Sequence, residues 1–274
     1  MAAIRLVTHR VEKPWGRRRL WHGFEDVPPG GAPVGEIWFQ HPGGEEPELL
    51  VKYLFTSDRL SIQVHPDDEA ARAAGYPRGK DEAWLVLAAE PGATIALGTR
   101  EVMSREALRR AALDGTIEGH MDWKSVHAGD FFYSPAGTVH AIGPGLTLVE
   151  IQQNVDLTYR LYDYGRPREL HLDEGVKVSN PVPFIAAQVP HAQGPGRCIL
   201  AEGAKFVLER WQDHGGRLAA SADRPIWLVP LKGAGTADGE TVRAGEVWML
   251  DAPADVAVDK DSDWLIAYPG ETVL

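Results

Sequence analysis

Three short stretches hold the side chains best suited to chemistry: Leu60-Ser61-Ile62-Gln63-Val64-His65-Pro66, Gly79-Lys80-Asp81-Glu82-Ala83-Trp84 and Ser134-Pro135-Ala136-Gly137-Thr138-Val139-His140. The first alternates apolar and polar residues, the period of a half-buried strand. Leu60, Ile62 and Val64 then face one way, and Ser61, Gln63 and His65 the other. Glu82 opens a β-rich run, and His140 follows a Pro-Ala-Gly turn at the head of another. An amide, a carboxylate and two imidazoles, all on strand segments, can converge inside a barrel as a metal site with an open position. Each residue alone also has an ordinary reading as a surface or core side chain. Their order and β context narrowly favour the metal site. His9, His22, His41, His120, His127, His171, His191 and His214 stay with the ordinary reading, His171 being also a candidate pocket wall.

The elements that must position these residues follow from composition and pattern. A chain of 274 residues is one large or two modest domains. Its 29 glycines and 20 prolines, spread along the chain, suit many short strands joined by turns better than a helical bundle. The net charge of -11 argues against nonspecific nucleic-acid binding, and an anionic substrate would need a local basic pocket. The single cysteine, Cys198, excludes an intrachain disulfide and a cysteine-based metal cluster. The N-terminus lacks the apolar core of a signal peptide, and no later stretch is long enough to span a membrane, so a reducing cytoplasm is the default.

Leu49 to Phe55 reads as a buried strand whose one charge, Lys52, either snorkels outward or faces a polar cavity. Gly35 to Phe39 and Leu146 to Gln153 are further strands, and short helices are expected from Pro66, at the first helical position, to Ala74 and from Ser104 to Leu113. Arg17 to Arg19 is best read as a solvated patch. Asp156 and Arg160 are an ordinary ion pair or part of an inward polar cluster, and Lys80 on its own reads as a surface lysine. The proline-rich segment 181–195 connects to a smaller β domain over 197–274. There, Ala244-Gly245-Glu246 and the strand after it repeat the pattern of Ala128-Gly129-Asp130 and its strand. No histidine follows the second copy, so it is expected to hold no metal.

As an ordered set these stretches resemble the type I phosphomannose isomerases (mannose-6-phosphate isomerases), in the short bacterial form without the large helical insertion. Lys13-Pro14-Trp15-Gly16, Gly35-Glu36-Ile37-Trp38, Glu150-Ile151-Gln152-Gln153-Asn154-Val155-Asp156-Leu157-Thr158-Tyr159-Arg160-Leu161-Tyr162-Asp163 and Pro167-Arg168-Glu169-Leu170-His171 extend the match over roughly the first two-thirds of the chain. The resemblance implies a mainly β fold of two cupin-type, jelly-roll barrels with short helical insertions. The catalytic metal-binding domain would span 1–183 and the smaller barrel 184–274.

It implies one Zn²⁺ per chain, with Gln63, His65, Glu82 and His140 as ligands. Arg160, Lys80 and Asp156 fall on active-site positions, and Ser61 and Lys52 near the substrate phosphate. Val155 and Ile37 depart from the family's usual residues without removing a ligand. The implied reaction interconverts mannose 6-phosphate and fructose 6-phosphate through an enediol. Arg160 would stabilise the developing charge, and Lys80 and Asp156 would handle protons. Lys80 could act as a base only with a depressed pKa. The expected partner is a small sugar phosphate, with no nucleic acid or membrane, for a monomer or small homo-oligomer. The rival readings are another metal-dependent cupin enzyme (an oxygenase using His65, Glu82 and His140, or another sugar-phosphate isomerase) and a noncatalytic sugar-binding cupin.

Overall fold

A computed structural model describes residues 3–21, 24–186, 188–203 and 205–274; His22 lies outside the described residues. The chain adopts the expected mainly β architecture with short helical insertions. One antiparallel sheet runs in the order Val7–Arg17, Val34–Gln40, Leu49–Phe55, Leu146–Gln153, Glu82–Ala89, Phe131–Ser134. A second, in the order Tyr159–Tyr162, Ile62–Val64, His140–Ile142, Thr94–Thr99, Met121–Ser125, packs with it to form the first barrel.

Leu49–Phe55 and Leu146–Gln153 are buried along their whole length. They run through the middle of their sheet, and both faces are covered. Leu49, Val51, Tyr53 and Phe55 project outward with Val149 and Ile151 into a core shared with Phe206, Leu208, Trp227, Val229 and Leu265. Leu54, Leu146 and Leu148 project inward. The period of two survives, but both faces are largely apolar; Lys52 and Glu150 are the charges that point into the barrel.

The shared core belongs equally to a sheet that includes Arg197–Glu202, Phe206–Gln212, Asp263–Pro269, Ile226–Lys232 and Trp248–Leu250. This sheet also takes in Ala3–Arg5, which pairs with Trp248–Leu250. The second barrel is completed by Gly215–Leu218, Ala254–Val258, Ala234–Ala237 and Glu240–Arg243. The suspected repeat has a common turn. Gly129 and Gly245 are left-handed at φ 95° and 86°. Asp130 accepts from the His127 amide, and Glu246 from the Arg243 amide.

The two expected helices form as Asp68–Ala73 and Arg105–Asp114, capped by Asp67 and Ser104; a left-handed Gly115 ends the second. Two more, Ile117–His120 and Leu172–Val178, were not foreseen. Both are short, and neither is capped by a side-chain hydrogen bond, the signal by which sequence reveals a helix start. No helix among the described residues is long and apolar enough to cross a membrane.

Candidate metal centre

Strand register assembles the site. Gln63 lies opposite His140 on one neighbouring strand and opposite Arg160 on the other, so Arg160, Gln63 and His140 form a row across one sheet. On the facing sheet, Trp38, Lys52, Glu150 and Trp84 are successive cross-strand partners and form a second row. His65 stands just beyond the end of Ile62–Val64, and Glu82 opens its strand.

Two glycines bring the ligand segments together. A Cβ on Gly79 would sit 2.4 Å from the Asp67 carbonyl carbon, so only glycine allows this approach. There the Lys80 amide donates to the Pro66 carbonyl (3.0 Å) and the Gly79 amide to Asp68 (2.8 Å). Gly137, at φ 85°, donates its amide to the His65 carbonyl (2.8 Å) and ties the two histidine segments together.

The candidate ligand atoms of His65, Glu82 and His140 lie within 4.8 Å of one another, and all three residues are buried. His65 Nδ1 faces the Leu157 carbonyl (2.8 Å) and His140 Nδ1 the Thr138 carbonyl (2.9 Å). A carbonyl only accepts, so both Nδ1 atoms carry the proton and both Nε2 lone pairs point inward, the tautomer a metal needs. His65 Nε2 is 3.3 Å from Glu82 Oε1, and His140 Nε2 is 3.6 Å from Glu82 Oε2. Glu82 Oε2 is buried without a hydrogen-bond partner. A carboxylate oxygen so placed beside two imidazole lone pairs fits a divalent cation.

The amide of Gln63 accepts from Ser61 Oγ (3.0 Å) and turns its nitrogen toward His140 Nε2 (3.3 Å). A half-turn would present its oxygen to the cation and leave its nitrogen donating to Ser61. The ammonium of Lys80 approaches the same ligand atoms, 2.8 Å from Glu82 Oε1 and 3.4 Å from His65 Nε2.

Burial sets the protonation states. It pulls the His140 imidazole down to about 4, helped by His65, and it also lowers His65, so both are neutral at pH 7. Burial opposes the charge of Glu82, but His65 when protonated, and Lys80, more than offset it and hold that carboxyl well below its usual value. Burial likewise opposes the charge of Lys80, and Glu82 and Glu150 reverse the effect, so the pKa of Lys80 is raised. The depressed lysine that a basic role requires is not what the protein groups alone produce.

A cavity of about 390 Å³ opens over these residues. Gln63, Glu82, His140, Lys80, Ser61, Lys52, Asp156 and Arg160 all line it, while His65 sits behind. Lys52 therefore faces the polar cavity rather than snorkelling outward. It stands 3.5 Å from Glu150 and 3.9 Å from Glu36, with its ammonium over the Trp38 ring. Arg160 gives its Nε to the Glu169 carbonyl (2.9 Å), and Asp156 acts on it through space.

Comparisons with known proteins identify the family and the fold. No family model matches the chain. A mannose-6-phosphate isomerase of Streptococcus mutans is 36% identical over 68% of this chain, which spans 63% of that relative's length. The mannose-6-phosphate isomerase ManA of Bacillus subtilis is 35% identical over 73% of this chain and 68% of its own. The chain belongs to the mannose-6-phosphate isomerase family. The solved mannose 6-phosphate isomerase of Bacillus subtilis superposes with a TM-score of 0.78 at 25% identity, covering 97% of this chain and 99% of that one. A zinc-bound mannose 6-phosphate isomerase shares the fold at TM-score 0.72 and 14% identity, over 98% of this chain and 100% of its own.

In this family member, sequence reasoning missed several cavity residues. Glu150 accepts from Trp84 Nε1 (2.9 Å) and is buried in the cavity wall. Burial, with Glu82 adding to it, pushes its carboxyl up to about 7. Glu36, Lys13, Trp84 and Arg168 also line the cavity, as does His171, the suspected wall. An acid in the middle of an apolar strand was the available signal for Glu150, as a lysine in such a strand was for Lys52.

Proposed function

We propose that the chain is a zinc-dependent aldose–ketose isomerase of the cytoplasm that interconverts mannose 6-phosphate and fructose 6-phosphate through an enediol. It would bind one Zn²⁺ per chain through His65, Glu82, His140 and Gln63. The observation that carries the reading is the meeting of two inward imidazole lone pairs with an unpartnered Glu82 oxygen, at a cavity that also holds Arg160, Lys80 and Glu150. We read residues 1–183 as the unit that carries the site and 184–274 as a barrel that buttresses it without a metal.

Zinc in that donor set supplies a Lewis acid that stabilises negative charge on a substrate oxygen. The remaining roles fall to side chains. Lys80, held as an ammonium by its carboxylate neighbours, donates a proton toward the ring oxygen as the sugar opens, and Asp156 accepts the hydroxyl proton from O1. Glu150, raised to about 7, is poised near neutrality both to take the C2 proton and to return it at C1. As it does so, Asp156 returns its proton to O1 and Lys80 recovers one from O2, turning the aldehyde into a ketone and restoring both groups. The guanidinium of Arg160 stabilises the enediolate oxygens from the cavity wall. Ser61 and Lys52 contact the substrate.

Isomerisation in D₂O, followed by NMR, tests the enediol. The proposal expects deuterium at C1 of fructose 6-phosphate and at C2 of mannose 6-phosphate. Complete retention of hydrogen through many turnovers would replace the enediol with a hydride shift.

A further inference from the structure

The positive charges of the cavity are not equally engaged. Lys80 is paired with Glu82 at 2.8 Å, Lys52 with Glu150 at 3.5 Å, and Lys13 with Glu36 at 3.4 Å. Three ammonium groups thus meet three carboxylates. The arginines at the cavity edge are different. Arg160 spends only its Nε, on the Glu169 carbonyl. Arg168 also lines the cavity and is held side-on by Asp163, giving Nε to Oδ2 (2.6 Å) and Nη2 to Oδ1 (2.7 Å).

Asp163 is buried, and its one negative charge is shared. Arg166 also donates to its Oδ1, from Nε at 3.0 Å and Nη2 at 2.7 Å. Arg166 is paired with Asp58 as well (Nη1 to Oδ2, 3.5 Å), whereas Arg168 has Asp163 as its acidic partner. Only Arg168 of the two reaches the cavity wall. A guanidinium has five N–H donors, and the Asp163 contacts leave the Nη1 edge of Arg168 uncommitted. The pKa of Arg160 is lowered, first by burial and next by Arg168, as expected of two like charges at one edge.

We infer that Arg168, oriented by Asp163, grips the substrate phosphate at the cavity edge, which leaves Arg160 free for the enediolate. A phosphate monoester carries about −1.5 to −2 charges near neutrality and presents three acceptor oxygens. A guanidinium already fixed on one edge offers it a preorganised pair of donors at little entropic cost. The sugar end then points inward to the metal ligands and Glu150. Arg168 is a specificity-determining residue by this reading. The inference rests on the sugar-phosphate isomerase proposal.

The test compares Arg168→Gln with Arg166→Gln in the zinc-loaded protein. Both remove one arginine from Asp163, but only the first faces the cavity. KM and kcat are measured with mannose 6-phosphate, and inorganic phosphate affinity by calorimetry. Arg168→Gln is expected to raise KM and weaken phosphate roughly 10- to 100-fold, with kcat changing less than KM. Arg166→Gln is expected to stay within about threefold of wild type for both. If Arg168→Gln does not fold, Arg168→Lys keeps the charge without the fork and should still raise KM. Unchanged KM and phosphate affinity would overturn the inference, as would equal losses in the two variants or phosphate binding indifferent to Arg168. If wild type fails to isomerise mannose 6-phosphate while phosphate binding still depends on Arg168, the isomerase reading falls and the anion grip stands.

Discussion

At the scale of single residues, the site works by denying water to charges and then pairing them. His65 and His140 are kept neutral at pH 7, so protons compete with a metal for their Nε2 atoms only in acid. Metal affinity should therefore hold just below neutrality and fall as pH approaches about 4, where His140 takes up its proton, and His140→Ala should abolish stoichiometric binding; equilibrium dialysis with metal analysis checks both. Glu150→Gln should keep the metal and lower kcat roughly 10²- to 10⁴-fold, as loss of a general base does. With Glu150 at about 7, kcat/KM should decline below neutrality as that carboxylate takes up a proton. Lys52 lowers the Glu150 pKa, so Lys52→Met should move the acid limb to higher pH. A limb that stays in place would assign it to another group. Part of this was legible in the sequence: the strand period put Gln63 and His65 on one face, and the family resemblance joined Glu82 and His140 to them; the structure brings His65, Glu82 and His140 together. The protonation states were not, because they depend on burial and on partners far apart in the chain, such as Leu157 for His65 and Glu150 for Lys80.

At the scale of elements, the site depends on register and on close backbone approach. Gln63 serves as the hinge of a three-strand row only because it pairs with His140 on one side and Arg160 on the other. Gly79→Ala would force the 79–82 segment off the Pro66–Asp68 turn, at a cost of about 1–3 kcal/mol for overpacking. Urea unfolding should report that loss, and metal affinity should fall with it because Glu82 moves. A variant that keeps both would show that the contact is not needed. The capped helices and long apolar strands could be read from the sequence. Leu172–Val178 could not, since it lacks a side-chain cap and is held by packing on Tyr159 and Leu161. The two-sided burial of Leu146–Gln153 was also hidden, because its outward face is apolar only to meet a second sheet.

At the scale of the whole molecule, the second barrel supports the first through that shared core and through Lys205, which donates to Asp68 Oδ2 (2.7 Å). Asp68 in turn accepts from Gly79 and Gln153 and so braces the Lys80–Glu82 segment. Burial is the largest single influence and opposes the Asp68 charge, but the hydrogen bonds from Lys205, Gly79 and Gln153 together outweigh it and bring its pKa down to about 2. A depressed carboxylate stabilises the fold above its unfolded pKa near 3.8 and loses that contribution as pH falls toward 2. Lys205→Met should thus cost about 0.5–1 kcal/mol at neutral pH, with the difference from wild type shrinking in acid. Phe206→Ala, at the sheet–sheet core, should cost about 3–5 kcal/mol in thermal or urea unfolding. The most direct test of the whole account is a coupled assay of mannose 6-phosphate turnover to fructose 6-phosphate on metal-stripped protein, with and without added Zn²⁺, run beside His140→Ala. The account predicts turnover that zinc restores in the wild-type chain and fails to restore in the variant. Full turnover without metal, or equal restoration in His140→Ala, would contradict it.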